Sequence, residues 1–63
     1  ARIVLDLSDV PFADSSAAVA LRAMIDKAIR HDAKVEILGA TAPVRRVLGH
    51  EGIDDRLVRF RDV

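Results

Sequence analysis

Several residue types are missing or scarce in this chain of 63 residues. It has no cysteine, which excludes a disulfide framework and a zinc site built from thiolates. Tryptophan and tyrosine are also absent, and the only aromatic side chains are Phe12 and Phe60. We therefore expect an aliphatic core and no aromatic platform on which the bases of a nucleic acid would stack.

The chain also lacks net charge and long apolar runs. Ten basic residues balance ten acidic ones, which argues against broad attraction to nucleic acid or to an anionic membrane surface. The longest apolar run, residues 17–21, is far shorter than the ~20 residues of a membrane-spanning helix. We predict no nucleic-acid partner and no insertion of this segment into a membrane. A composition of 51% hydrophobic and 32% charged residues is typical of a globular domain.

The hydrophobic pattern predicts five elements in the order strand, helix, strand, helix, strand. The predicted strands are residues 2–7, 34–39 and 57–60, and the first predicted helix is 16–31. This order predicts an α/β fold, with a mostly parallel sheet of about three strands joined by right-handed crossovers. Ile3, Val4 and Leu5 are consecutive, which predicts a first strand covered on both faces. The third strand is expected at an edge.

The ends of the two helices carry recognisable signals. Residues 8–14 are predicted to form a loop in which Pro11 keeps Val10 out of the helical region. Asp14, Ser15 and Ser16 then offer N-cap side chains. For the second helix, Thr41 or Ala42 is the predicted cap and Pro43 an early helical residue. Gly52 is the predicted stop, with Ile53 tucked under the sheet.

Carboxylates and histidines are the first candidates for chemistry. Asp6, Asp9 and Asp14 could serve acid–base or metal chemistry, and the competing interpretation is that Asp9 caps a turn and Asp14 the first helix. His31 and His50 lie at helix ends, where a histidine commonly interacts with the helix dipole. No local spacing joins a histidine to a serine nucleophile. We therefore predict no catalytic residue, no metal site and no enzymatic activity.

Glycines and arginines give only generic signals. The three glycines form neither a dinucleotide fingerprint nor a phosphate-binding loop, so no cofactor is predicted. The start of the second helix at Thr41 could present N–H groups to an anion, as many helix starts can. Arg45, Arg46 and Arg56 form either a small basic patch or an ordinary solvated surface.

The serine pair at the start of the first helix has two interpretations. Ser15 and Ser16 could simply cap the helix, which would account for one of them. Two adjacent hydroxyls after Asp14 could also form a regulated site, because a phosphate there would lie at the favourable end of the helix dipole. The candidate regulatory residues are therefore Ser16, Ser15 and Asp14.

The run from Ile3 to Ser16 resembles the signature of STAS domains, a family named after sulfate transporters and anti-sigma factor antagonists. That signature is an apolar strand ending in Asp-Leu-Ser, here residues 6–8, then a loop and a serine or threonine at a helix start. Residues 35–39 and 43–53 resemble the next family strand and helix. The resemblance implies a STAS-like fold and a single partial domain over residues 1–63, without the family's N-terminal strands and C-terminal helix.

Two branches of the family remain open. In anti-sigma factor antagonists, glycine typically follows the phosphorylated serine, whose position here is Ser16, and this chain has Ala17 instead. The run Asp-Ser-Ser-Ala-Ala is more similar to the cytoplasmic STAS domain of SulP-type transporters of anions such as sulfate, bicarbonate or dicarboxylates. The alternative is a soluble, cytosolic antagonist regulated by serine phosphorylation.

The SulP resemblance implies partners and a location. The domain would lie at the cytoplasmic face of the membrane, against the membrane transport domain of the same longer chain, and a second subunit is a further candidate partner. The apolar start of the first helix suits such a covered surface. Its predicted interaction residues are Ala17, Ala18, Val19 and Leu21.

Overall fold

The computed structural model describes residues 1–10 and 14–62. It has five elements: β1 Arg2–Asp6, α1 Ser15–Arg30, β2 Lys34–Leu38, α2 Ala42–His50 and β3 Arg59–Arg61. The strands form one parallel sheet in the order β1-β2-β3, with β2 in the middle. The predicted α/β class and the element order are confirmed, as is the edge position of β3. The predicted effect of Pro11 on the loop lies outside the described residues.

The core lies between the sheet and the two helices. Both crossovers step in the same direction across the sheet, so right-handed connections place α1 and α2 on the same face, where they contact each other. The core is aliphatic, as predicted. Its buried members are Ala18, Ile25, Val35, Ile37, Val44, Leu48, Ile53 and Val58.

Strand β1 differs from its prediction. Ile3 is 39% exposed and Val4 48% exposed, so the strand is not covered on both faces. Among the described residues β1 pairs only with β2, and the sheet face that carries Val4 has no helix over it. A run of consecutive apolar residues therefore lies at an edge of the described sheet.

Both helices end in a turn of the Schellman type. At the end of α2, the N–H of Ile53 donates to the carbonyl of Leu48 and the N–H of Gly52 donates to the carbonyl of Gly49. Gly52 has φ +77°, the left-handed backbone that favours glycine. Ile53 and Leu48 are both fully buried, so this turn also delivers Ile53 into the core as predicted.

Candidate interaction site at the start of helix α1

Asp14 is the N-cap of α1. Its Oδ1 accepts a hydrogen bond of 2.8 Å from the backbone N–H of Ala17 and one of 3.0 Å from the hydroxyl of Ser16. These two bonds, the one from Ala17 first, hold the pKa of Asp14 below its ordinary value because they stabilise the carboxylate. One of the three candidate regulatory residues therefore organises the helix start and orients the hydroxyl of Ser16.

The two serines lie on the surface at this helix end. Ser15 and Ser16 are both exposed, and Ser16 donates its hydroxyl proton to Asp14. A phosphate on Ser16 would lie at the positive end of the helix dipole but directly beside the Asp14 carboxylate. The helix dipole would favour the phosphate and the carboxylate would repel it, so the net electrostatic effect of the phosphate would depend on how that carboxylate is oriented.

The apolar first turns of α1 divide between the core and the surface. Ala18 is fully buried, so it belongs to the core and is not part of any exposed contact surface. Ala17 and Ala20 are exposed, Val19 is 53% exposed and Leu21 is half-buried. We call Ala17, Ala20 and Leu21 the α1-start surface. Val19, although exposed, lies on another side of the helix, because successive residues are rotated by about 100°.

An apolar depression continues this surface toward the end of β1. It has a volume of about 340 Å³ and is bounded on the β1 side by Leu7 and Val10. Met24, 61% exposed, extends it one turn further along α1. None of these three was predicted as a site residue. Leu7 and Val10 come from a segment that only the fold brings beside the helix start, whereas Met24 follows on α1 itself.

Comparison with known protein families gives a match over the whole chain. The family model described as the STAS domain matches residues 1–63. The chain belongs to the STAS domain family. No curated protein matches it.

Among the other acidic candidates of the STAS domain, Asp6 has a local structural role. Asp6 Oδ1 accepts hydrogen bonds from the backbone N–H of Ser8 (2.9 Å) and from its hydroxyl (2.6 Å). These bonds, the hydroxyl one first, lower the pKa of Asp6. Asp6 therefore caps the turn at Ser8, and the turn-capping role of Asp9 stays a prediction. No group of three potential metal ligands occurs in the part of the chain that the structure describes.

The two histidines lie at the C-terminal ends of the helices. His31 is the C-cap of α1, whereas Ser16 is in its first turn, so roughly 20 Å of helix separates them. His50 is the last residue of α2. His31 is therefore far from the helix start where Ser16 lies.

Two of the three arginines of the predicted basic patch pair with carboxylates. Arg45 lies 3.6 Å from Asp55 and stacks over the ring of Phe60, 4.3 Å from its centroid. Arg56 bonds to Asp54 at 3.1 Å, and that bond lowers the pKa of Asp54. At the N-terminus of α2, the cap residue is Thr41, and its side chain makes no capping hydrogen bond.

The STAS domain contains one charged cluster that the sequence did not reveal. Glu36, on the central strand, is buried with 6% exposure and pairs with Arg2 and Arg61 on the two neighbouring strands. A glutamate between the buried Val35 and Ile37 was the available signal. Its partners could be found only from the register of the sheet. Over the described residues, no helix is long and apolar enough to cross a membrane.

Proposed function

We propose that this STAS domain is the cytoplasmic regulatory and interaction domain of a SulP-type secondary anion transporter. The membrane transport domain of the same longer chain would be its main partner, and a second subunit a further one. The proposal includes no catalytic role for the domain. Anion conduction would belong to the membrane part, and this domain would influence assembly, trafficking or transport rate.

The observation that carries the proposal is the α1-start surface. Exposed Ala17 and Ala20 border the depression that is lined by Leu7, Val10 and Met24, so the apolar surface runs from the helix start toward β1. Contiguous apolar surface of this kind is typical of contact with another protein, whereas scattered exposed apolar residues are not. The run Asp14-Ser15-Ser16-Ala17-Ala18, which resembles the SulP branch, forms the start of the same helix.

The arrangement around Ser16 supports a role in binding and not in catalysis. Its hydroxyl donates to Asp14, and a carboxylate whose pKa is lowered is a weak general base. His31 lies at the opposite end of α1. A nucleophile activated by a base and served by an oxyanion site would require more than these groups supply.

The first experiment is to separate the membranes of the source cells from the cytosol and detect the protein with an antibody to this segment. A membrane-bound band several times larger than a lone domain is expected. A cytosolic band of domain size, roughly 100–150 residues, would contradict the transporter proposal.

The second experiment tests the surface itself with two matched variants of the full transporter. Met24→Asp places a charge in the depression that continues the α1-start surface, where Met24 is 61% exposed, and Ile29→Asp places the same charge at the other end of α1, where Ile29 is 39% exposed. We expect Met24→Asp to reduce uptake of sulfate, bicarbonate or a dicarboxylate several-fold, at equal amounts of protein, and Ile29→Asp to change it less than about twofold. Equal effects of the two variants would contradict a specific contact at the α1 start.

One observation favours the alternative, a soluble anti-sigma factor antagonist switched by phosphorylation. Ser16 is exposed at the N-terminus of α1, where a kinase could reach it. Under this alternative, Ser16→Ala abolishes the kinase-dependent change in partner binding and Ser15→Ala leaves it intact. A Ser16→Ala variant with every partner response unchanged would exclude the alternative.

A further inference from the structure

The sheet face opposite the helices is unusually rich in cations. The register places four cationic and two anionic side chains on it, which gives this face a net charge of +2 in a chain whose formal net charge is zero. We call it the open sheet face. Its charged residues are Arg2, Asp6, Lys34, Glu36, Arg59 and Arg61.

Both anionic residues of the open sheet face already have partners. Glu36 Oε2 lies 3.1 Å from Nε of Arg2, and Glu36 Oε1 lies 3.1 Å from Nη1 of Arg61. Asp6 is turned toward the backbone N–H and hydroxyl of Ser8. Consequently neither carboxylate offsets the charges of the two remaining cations on this face.

Those remaining cations are Lys34 and Arg59. Both are exposed, and within residues 1–10 and 14–62 neither takes part in an ion pair. They border a shallow cleft of about 440 Å³ together with Arg2, Glu36 and Arg61. The cleft therefore combines one carboxylate held between two arginines with two further cations that lack a carboxylate.

The geometry points to a ligand that carries carboxylates at alternate residues of an extended chain. Arg59 is in register with Glu36, so Lys34 is diagonally opposite Arg59, one strand across and two residues back. From the strand spacing and the rise per residue, their Cα atoms lie roughly 8 Å apart. Side chains at i and i+2 of an extended peptide are about 7 Å apart. Two such carboxylates would match Lys34 and Arg59.

We propose that the open sheet face binds an extended acidic segment of a partner protein, with two of its carboxylates pairing with Lys34 and Arg59. Glu36 shows that the arginines of this face bind a carboxylate, and guanidinium groups suit carboxylates geometrically. Complementary charge sets the choice of partner and the rate of association. The inference is independent of the transporter proposal, because it depends on charges of the sheet and not on the α1-start surface.

The test uses the intact protein and a fluorescein-labelled peptide of alternating glutamate and threonine, ten residues long. Lys34→Gln with Arg59→Gln removes the two cations that bind no carboxylate in the described part of the chain, and Lys27→Gln with Arg46→Gln removes two exposed cations from the helices as a control. Fluorescence anisotropy should show that the first pair of substitutions raises the Kd about tenfold and the control pair raises it less than twofold. Higher salt should weaken binding to the unmodified protein.

Further measurements guard against misfolding and against other ligands. Lys34→Arg with Arg59→Lys keeps both charges and should keep the peptide affinity within about threefold, whereas a loss as large as that of the glutamine pair would overturn the proposal. Equal loss in the control pair, or equal affinity for a peptide of alternating glutamine and threonine, would also overturn it. The absence of acidic-peptide binding would overturn the proposal as well. It would do so even if the same face bound phosphatidylserine vesicles, which present a membrane surface, or a second copy of the chain detected by sedimentation.

Discussion

Arg22 of helix α1 donates a hydrogen bond of 2.8 Å from Nη1 to the backbone carbonyl of Glu51, 29 residues further along the chain. The Nε of the same side chain bonds to Asp26, one turn later in α1. Glu51 is the C-cap of α2, where carbonyl groups lack partners within the helix. One guanidinium therefore ties the middle of α1 to the end of α2.

Gly52 lies beside this contact and is sensitive to substitution because of its backbone. A Cβ there would displace Nη1 at the end of the flexible Arg22 side chain, and the φ of +77° is unfavourable for any L side chain. We expect Gly52→Ala to lower the free energy of unfolding by about 1–2 kcal/mol or more, since the left-handed backbone alone costs this amount. Urea unfolding followed by circular dichroism measures the change.

Gly49 provides the matched control. It lies within α2, and a Cβ there would meet no other atom within 4 Å. Gly49→Ala should raise the free energy of unfolding by roughly 0.5–1 kcal/mol, because alanine favours the helix. If both substitutions changed the free energy of unfolding in the same direction, the turn and the Arg22 contact would not determine the cost at Gly52.

The N-cap Asp14 predicts a specific dependence of stability on pH. Its pKa is lowered in the folded protein, so Asp14 contributes stability that is present above the ordinary carboxyl pKa and is lost as the pH falls through the folded value. Asp14→Asn removes this ionisation. The stability difference between the two proteins should be constant from about pH 7 to 5 and should shrink below about pH 4.

Urea midpoints of both proteins across this pH range check the prediction. The stability of Asp14→Asn itself should still decline in acid, because Asp6 and Asp54 also have lowered pKa values. A difference that grows on acidification would contradict the assignment of Asp14 as an ionised cap.

Two isoleucines on α1 test where the core ends. Ile25 is 1% exposed and Ile29 is 39% exposed. Ile25→Ala should cost about 2–5 kcal/mol, because it removes buried methyl groups and leaves a cavity. Ile29→Ala should cost less than about 1.5 kcal/mol, because part of that side chain already contacts water. Guanidinium chloride unfolding compares the two, and similar costs would mean that Ile29 is covered.

Periodicity and end signals were enough to predict the secondary structure. Helix α1 begins at Ser15 and ends at Arg30, one residue earlier at each end than predicted, because Asp14 is its N-cap and His31 its C-cap. As predicted, Pro43 is an early residue of α2 and Gly52 lies in the turn that ends this helix. β3 is Arg59–Arg61, slightly later than the predicted 57–60, because the N–H groups of Leu57 and Val58 donate to the carbonyl of Asp54 in a turn and not to β2. These features depend on neighbours within a few residues, which a sequence displays directly.

The candidate site was only partly predictable. The Asp14 cap follows from local chemistry, and Ser15 and Ser16 are exposed as a helix start implies. The interaction and regulatory roles of this region stay predictions. Ala18 illustrates the limit, since an alanine within an apolar run does not reveal which side of the helix the core will cover, and the core covers Ala18 fully.

By itself, the sequence determined the α/β class, the order of the elements, the aliphatic core and the polar ends of the helices, because each depends on local residue preferences and on alternation along one segment. The tertiary structure decided that β1 pairs with β2, that Arg22 meets Glu51, and that Arg2 and Arg61 enclose Glu36. These contacts join residues that are distant in the chain, and the register of the parallel strands determines which of them meet.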